Sequence, residues 1–186
     1  YNIEGERIIV GRIAAGRLRE GQNVVILPSG TQCKIKAIKS FQQTIKSAAI
    51  EENVGLTLMA DIPGLQCGNV ICAGENPPKN SIRFRGNLIW LHANALTIGQ
   101  NLKLHCATQT LPCTVTKITE RIDPKTLTIL ENDAQCISEN QAGIVKFELL
   151  NPALIEKHSA VTELGRFSIE NDHGLLGAGT VLENYV

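Results

Sequence analysis

One repeated pattern limits what this chain can become: short segments in which apolar and polar residues alternate, each closed by glycine, proline or asparagine. Cys33, Ile35 and Ala37 alternate with Gln32, Lys34 and Lys36, and Val145, Phe147 and Leu149 alternate with Lys146 and Glu148. Successive side chains of an extended strand point to opposite faces, so a period of two sends one row into a core and the other into water. Valine, isoleucine and threonine dominate these segments, and no stretch sustains the 3.6-residue period of a helix. Strands are predicted over 7–13, 23–27, 33–37, 53–59 and 68–72, then over 82–91, 101–106, 113–119, 142–150, 166–169 and 177–182. Leu18 to Gln22 and Pro28 to Thr31 read as turns, with Gly21 and Gly30 where positive φ is needed.

Pro77-Pro78, inside Gly74-Glu75-Asn76-Pro77-Pro78-Lys79-Asn80, cannot donate to a sheet ladder and separates the two sets of strands. The predicted fold is all-β, with two tandem small β-barrels spanning 1–76 and 77–186. With 43% hydrophobic residues, both can bury a core. Trp90 reads as filler of the second core or as an interface anchor.

Charge excludes some functions. Lysine plus arginine number 18, as do aspartate plus glutamate, so no net field attracts a polyanion, and nucleic-acid contact would require a local basic patch. Apolar runs such as Val24 to Leu27 are far short of a membrane span, and no membrane contact is expected. Tyr1-Asn2-Ile3-Glu4 lacks signal-peptide character and reads as an internal segment of a longer chain. The six cysteines are scattered among strands, which suits reduced thiols in a cytoplasmic protein. Cys67 with Cys72, and His105-Cys106 with Cys113, lack the two-ligand clip of a zinc site, so no metal is assigned.

Catalytic signatures are missing. There is no Gly-Lys dipeptide, hence no triphosphate-cradling loop, and Ser29-Gly30 lacks the preceding glycine of a nucleophile elbow. His92, His105, His158 and His173 are isolated. Gly177-Ala178-Gly179 lacks the strand-turn-helix setting of a dinucleotide loop and reads as close packing within a strand. No catalytic or cofactor-binding residue is assigned. Arg83 and Arg85 alternate on one strand face beside Lys79, where they form either an anion contact or a solvated face.

The order of motifs resembles the second and third domains of an elongation-factor-Tu-like GTPase. Gly11-Arg12-Ile13-Ala14-Ala15-Gly16, Gly21 to Pro28, Glu52-Asn53-Val54-Gly55 and Gly68-Asn69-Val70-Ile71 are similar to that second domain. Leu88 to Leu91, Leu111 to Ile118, Arg121-Ile122-Asp123 and Gly177 to Gly179 are most similar to the large, GTP-regulated subunit of bacterial sulfate adenylyltransferase. Two motifs point to the translational branch instead: Glu52 to Gly55 resembles elongation factor Tu, whose matching asparagine lies beside the aminoacyl end of transfer RNA, and Leu164-Gly165-Arg166-Phe167 resembles elongation and ribosome-rescue factors. The sulfate branch implies a non-catalytic barrel pair that relays state to a small adenylyltransferase subunit. The translational branch implies barrels that bind aminoacyl-tRNA. Both imply GTP and magnesium in a separate N-terminal domain that docks on the barrels; in the sulfate branch a fused adenylyl-sulfate kinase would lie beyond Val186, and the sequence leaves its presence undecided. Candidate partner or ligand contacts are Arg7, Asn53, Arg83, Arg85, Arg121 and Arg166.

Overall fold

The computed structural model describes residues 2–3, 6–41, 43–75 and 77–185; Tyr1, Glu4, Gly5, Gln42, Val186 and Asn76, the last residue of the first predicted domain, lie outside the described residues. Two compact units form, Tyr1–Pro78 and Lys79–Val186. Each is a small β-barrel, and no helix occurs among the described residues.

The first unit contains β1 (Asn2–Ile3), β2 (Glu6–Arg7), β3 (Ile9–Arg12), β4 (Arg17–Arg19), β5 (Asn23–Leu27), β6 (Thr31–Ser40), β7 (Gln43–Ile45), β8 (Ser47–Ala49), β9 (Asn53–Leu58) and β10 (Val70–Ala73). The main sheet runs β10-β5-β6-β9-β3, with β7 beside β6, and all its neighbours are antiparallel. Its core gathers Ile13, Val24, Ile35, Ile38, Val54 and Leu56, and the β4–β8 pair adds Leu18 and Ala48. The segment that reads as a turn at Leu18 therefore begins as strand. The reversal comes at Glu20-Gly21, with Gly21 at φ 75°.

Where β6 meets β9 the register slips: Ile35 opposes Leu58, and Ala37 opposes Thr57. This bulge absorbs Lys36 and shifts the inward row by one position. Ile35 and Ile38 are completely buried, and Ala37 is not the inward residue that simple alternation predicts. Lys36 and Thr57 are thereby set beside the loop that follows β9.

The second unit contains β11 (Ser81–Trp90), β12 (Leu96–Thr97), β13 (Asn101–Cys106), β14 (Gln109–Asp123), β15 (Thr128–Asn132), β16 (Cys136–Ile137), β17 (Ala142–Ala153), β18 (Arg166–Asn171) and β19 (Gly174–Tyr185). Its ladders close a ring, β13-β18-β19-β11-β17-β14 and back to β13, with β15 appended to β14. Three phenylalanines fill the ring: Phe84 stacks on Phe147 at 4.9 Å, and Phe167 meets both edge-on at 5.5 and 5.6 Å. Such offset and edge-on geometry adds favourable quadrupole contacts to burial. Phe167 gains room from Gly179, whose hypothetical Cβ would stand 2.0 Å from the Asn87 carbonyl oxygen and 2.6 Å from Phe167 Cζ. Trp90 is a core residue, 1% exposed, and its indole Nε1–H donates to the Asn94 carbonyl at 2.8 Å.

Candidate binding cleft

In the first unit an open cleft of about 640 Å³ lies against β2, β3, β6 and β9 and the loop that follows β9. Its size falls in the range of small-molecule sites. Ile9, Leu58, Ile62 and Leu65 supply apolar lining, and Glu6, Arg7, Lys36 and Asp61 supply charge.

Arg7 ties down the loop. Its Nη1 donates to Asp61 Oδ1 at 3.0 Å and to the Ile62 carbonyl at 3.1 Å, and its Nη2 donates to the Leu65 carbonyl at 2.6 Å. Planar guanidinium geometry suits several acceptors at once. Ile62 is buried beneath this staple, although its neighbours Asp61 and Pro63 are exposed.

Glu6 bridges two lysines of β6, receiving Lys36 Nζ at 2.8 Å on one carboxylate oxygen and Lys39 Nζ at 2.5 Å on the other. The hydrogen bond from Lys36, then that from Lys39, holds the Glu6 carboxyl down at about 2 against an ordinary 4.5. Two ammonium groups share one carboxylate, and Arg7 with Asp61 is balanced, so this small cluster carries one surplus positive charge.

Thr57 lines the same cleft from β9. It is 1% exposed, and its Oγ1 has no hydrogen-bond partner. Buried hydroxyls are nearly always paired, because an unpaired one forfeits its hydration without replacement.

Of the residues that the sequence singles out, only Arg7 lines this cleft. Asn53 is exposed at the head of β9, opposite Arg12. Arg83 and Arg85 do share a face of the second barrel, but each is engaged. Arg83 donates to Glu148 Oε1 through Nε at 3.1 Å and Nη2 at 2.8 Å, and Arg85 lies 3.6 Å from Glu183. Glu183 accepts from the Tyr185 hydroxyl at 2.7 Å; that bond, then Arg85, lowers its carboxyl pKa. Arg121 pairs with Glu131 at 2.9 Å across the β14–β15 hairpin. Arg166 is exposed on β18 beside Thr180 of β19. Within the second unit the structure thus unites Arg83 with Arg85 on one strand face.

Glu6, Lys36, Thr57 and Asp61 escape sequence reasoning because the loop and the first strands are about 55 positions apart, as Arg7 and Ile62 show. Thr57, polar between Leu56 and Leu58, is the one signal that was readable. Among the described residues no group of three or more His, Cys, Asp or Glu is placed to hold a metal ion.

Comparison with known proteins adds a family. Residues 83–182, more than half of the chain, match the family model described as GTP-eEF1A C-terminal domain-like. Elongation factor 1-alpha of Archaeoglobus fulgidus is 31% identical over 186 residues, which cover 98% of this chain and 44% of that protein. Elongation factor 1-alpha of Metallosphaera sedula is 30% identical over 185 residues, covering 97% of this chain and 42% of that protein. This chain therefore spans less than half the length of these curated relatives. A crystal structure of sup35 complexed with GDP superposes with a TM-score of 0.90 at 22% identity, over 96% of this chain and 44% of that one, a likeness of fold.

Proposed function

This chain belongs to the GTP-eEF1A C-terminal domain-like family, and from that premise we propose that it is the barrel pair of a translation-factor GTPase whose first barrel seats the aminoacylated 3′ end of a transfer RNA. The cleft beside β9 carries this reading. Its apolar walls suit a stacked base, its surplus positive charge suits a phosphodiester, and its roughly 640 Å³ suits a terminal nucleoside. Relatives named elongation factor 1-alpha, similar along nearly the whole chain, support the translational branch.

Asn53, exposed at the start of the strand that carries Thr57, is the proposed contact to the aminoacyl group. Arg166 is the proposed phosphate contact on the second barrel, because it is exposed and no ion-pair partner is found for it among the described residues. Arg83, Arg85 and Arg121, engaged by carboxylates, shape their own barrel. GTP and magnesium belong to a separate domain of the parent protein, and the barrels respond to it by preferring one docked arrangement over another. The working compartment is the cytoplasm, where thiols stay reduced.

A filter-binding measurement with the GTP-loaded parent protein tests this. Aminoacylated transfer RNA should bind more tightly than the deacylated form, with affinity falling as salt rises. Equal binding of both forms overturns the reading.

A second reading rests only on the resemblance of Leu111 to Ile118 and Gly177 to Gly179 to the large subunit of sulfate adenylyltransferase. It ranks below the first because the relatives reported above are elongation factors. Co-purification of the parent protein with a small adenylyltransferase subunit would reverse that order.

A further inference from the structure

We propose that this chain self-associates through the second barrel: the free edge of β15 pairs antiparallel with β15 of a second copy, and Ile129 meets Ile129 of the copy on a two-fold axis. No residue of the cleft takes part, so this stands apart from the proposed function.

The edge is open and apolar. Among the described residues β15 pairs with β14 and with no other strand. All five of its residues are exposed, Ile129 to 54% and Leu130 to 47%, and Leu127 just before it to 80%. Free edges are commonly guarded by lysine, proline or an unpaired charge. β15 contains no lysine or proline, and its only charge, Glu131, is bound by Arg121 at 2.9 Å within the same hairpin.

Behind this edge runs an apolar row. Directly opposed residues of antiparallel neighbours share a face. Ala178, Ile89, Ala142, Ile122 and Ile129 oppose one another in turn, from β19 through β11, β17 and β14 to β15. The row is on the outside of the barrel, because Ile89 is 47% exposed while Leu88 and Trp90 on either side of it are core. It stops at Ile129. A two-fold axis there continues it into the copy, a closed contact in which both partners use the same surface.

Register and charge favour a copy over an unrelated strand. With the axis normal to the sheet, opposed side chains share a face only where a residue opposes its own image. The β14–β15 ladder shifts between Arg121 and Ile122, which leaves Leu130 as the bulged residue, so regular pairing centres on Ile129 instead. Leu130 then meets Thr128 of the copy, and the turn carrying Lys125 reaches the end of the ladder where Asp133 of the copy stands. Lys125 is exposed and in no ion pair among the described residues. The Asp133 side chain, 2.6 Å from Lys117, is still 70% exposed. Symmetry makes this attraction twice. The ladder is short, which places the dimer at the weak end of protein interfaces.

Sedimentation equilibrium from about 1 µM to about 1 mM tests this, using the unchanged chain, Ile129→Lys, Lys125→Glu and Leu150→Lys. Leu150 is 72% exposed but outside the row, so its variant controls for general stickiness. The unchanged chain and Leu150→Lys should pass from the mass of one chain to that of two and no further. Ile129→Lys sets two like charges face to face on the axis and should associate at least about thirtyfold more weakly, with a melting temperature within a few degrees of the original because no core residue is altered. Lys125→Glu should weaken association about threefold. A single-chain mass at every concentration overturns the proposal and leaves the edge to a strand of another protein. Equal association of Ile129→Lys and the unchanged chain, equal weakening by Leu150→Lys, or growth beyond two copies also overturns it.

Discussion

Replacing Arg7 by methionine keeps a long flexible stem and removes the guanidinium, so it isolates what the staple contributes. The bond to Asp61 joins partners that are 44% and 77% exposed, a setting in which an ion pair contributes about 0–1 kcal/mol. The bonds to the Ile62 and Leu65 carbonyls, one partly buried and one exposed, contribute about 0.5–1.5 kcal/mol each. Together they give about 2 kcal/mol, roughly a thirtyfold change in the equilibrium for opening the loop. The effect should be local, because no core residue is altered. Hydrogen exchange reads it directly: the Leu65 amide, which donates to the Ile62 carbonyl, and the Asn69 amide, which donates to Gln66, should exchange about thirtyfold faster. Amides of β13, β14 and β17 should not change. Unchanged exchange at Leu65 in the Arg7→Met protein would refute the staple, and equal acceleration in the second barrel would show that the effect is not local.

Gly179→Ala should cost about 3 kcal/mol or more in chemical denaturation, because the added methyl meets the Asn87 carbonyl at 2.0 Å and the Phe167 ring at 2.6 Å, backbone and packed aromatic that have no room to yield. Phe147→Ala should cost about 3–5 kcal/mol by removing the stacked partner of Phe84 from a fully buried position. Because the folded pKa of Glu6 lies below its unfolded value, its bridge to Lys36 and Lys39 stabilises above about pH 4.5 and is lost as pH falls towards 2. A carbon-detected carboxyl titration should therefore place the Glu6 midpoint near 2, and a midpoint near 4.5 would remove the two-lysine bridge. Burial raises the thiol pKa of Cys106 to about 11 and of Cys113 to about 12. Both should stay unalkylated by iodoacetamide at pH 8 until the protein unfolds.

Strands with one buried and one wet face were legible in the sequence. Val145, Phe147 and Leu149 are each at most 2% exposed, Lys146 is exposed, and the segment extends to a twelve-residue strand. β15 was invisible because all five of its residues are exposed, which leaves no alternation to read. β4, β8 and β16 are only two or three residues long, too short for any period to register. The phase error at Ala37 has a different origin. A bulge is a relation between two strands, and nothing in Lys34-Ile35-Lys36-Ala37-Ile38 alone announces that Lys36 will be looped out against β9. The cleft was illegible for the related reason that its charges act across distant segments. Glu6 is 30 positions from Lys36, and Arg7 is 54 from Asp61. Charge and motif position named Arg7 and Asn53 as candidates, but neither announces that Asn53 lies outside the cleft lining or that Arg83 has the carboxylate partner Glu148.

The most direct measurement of the central claim is a methyl NMR titration of the isoleucine and leucine side chains with the aminoacyl-mimicking CCA-ended RNA. Shifts should concentrate on Ile9, Leu58, Ile62 and Leu65 and saturate together. Shifts confined to methyls of the second barrel, or saturation with those four unmoved, would contradict it.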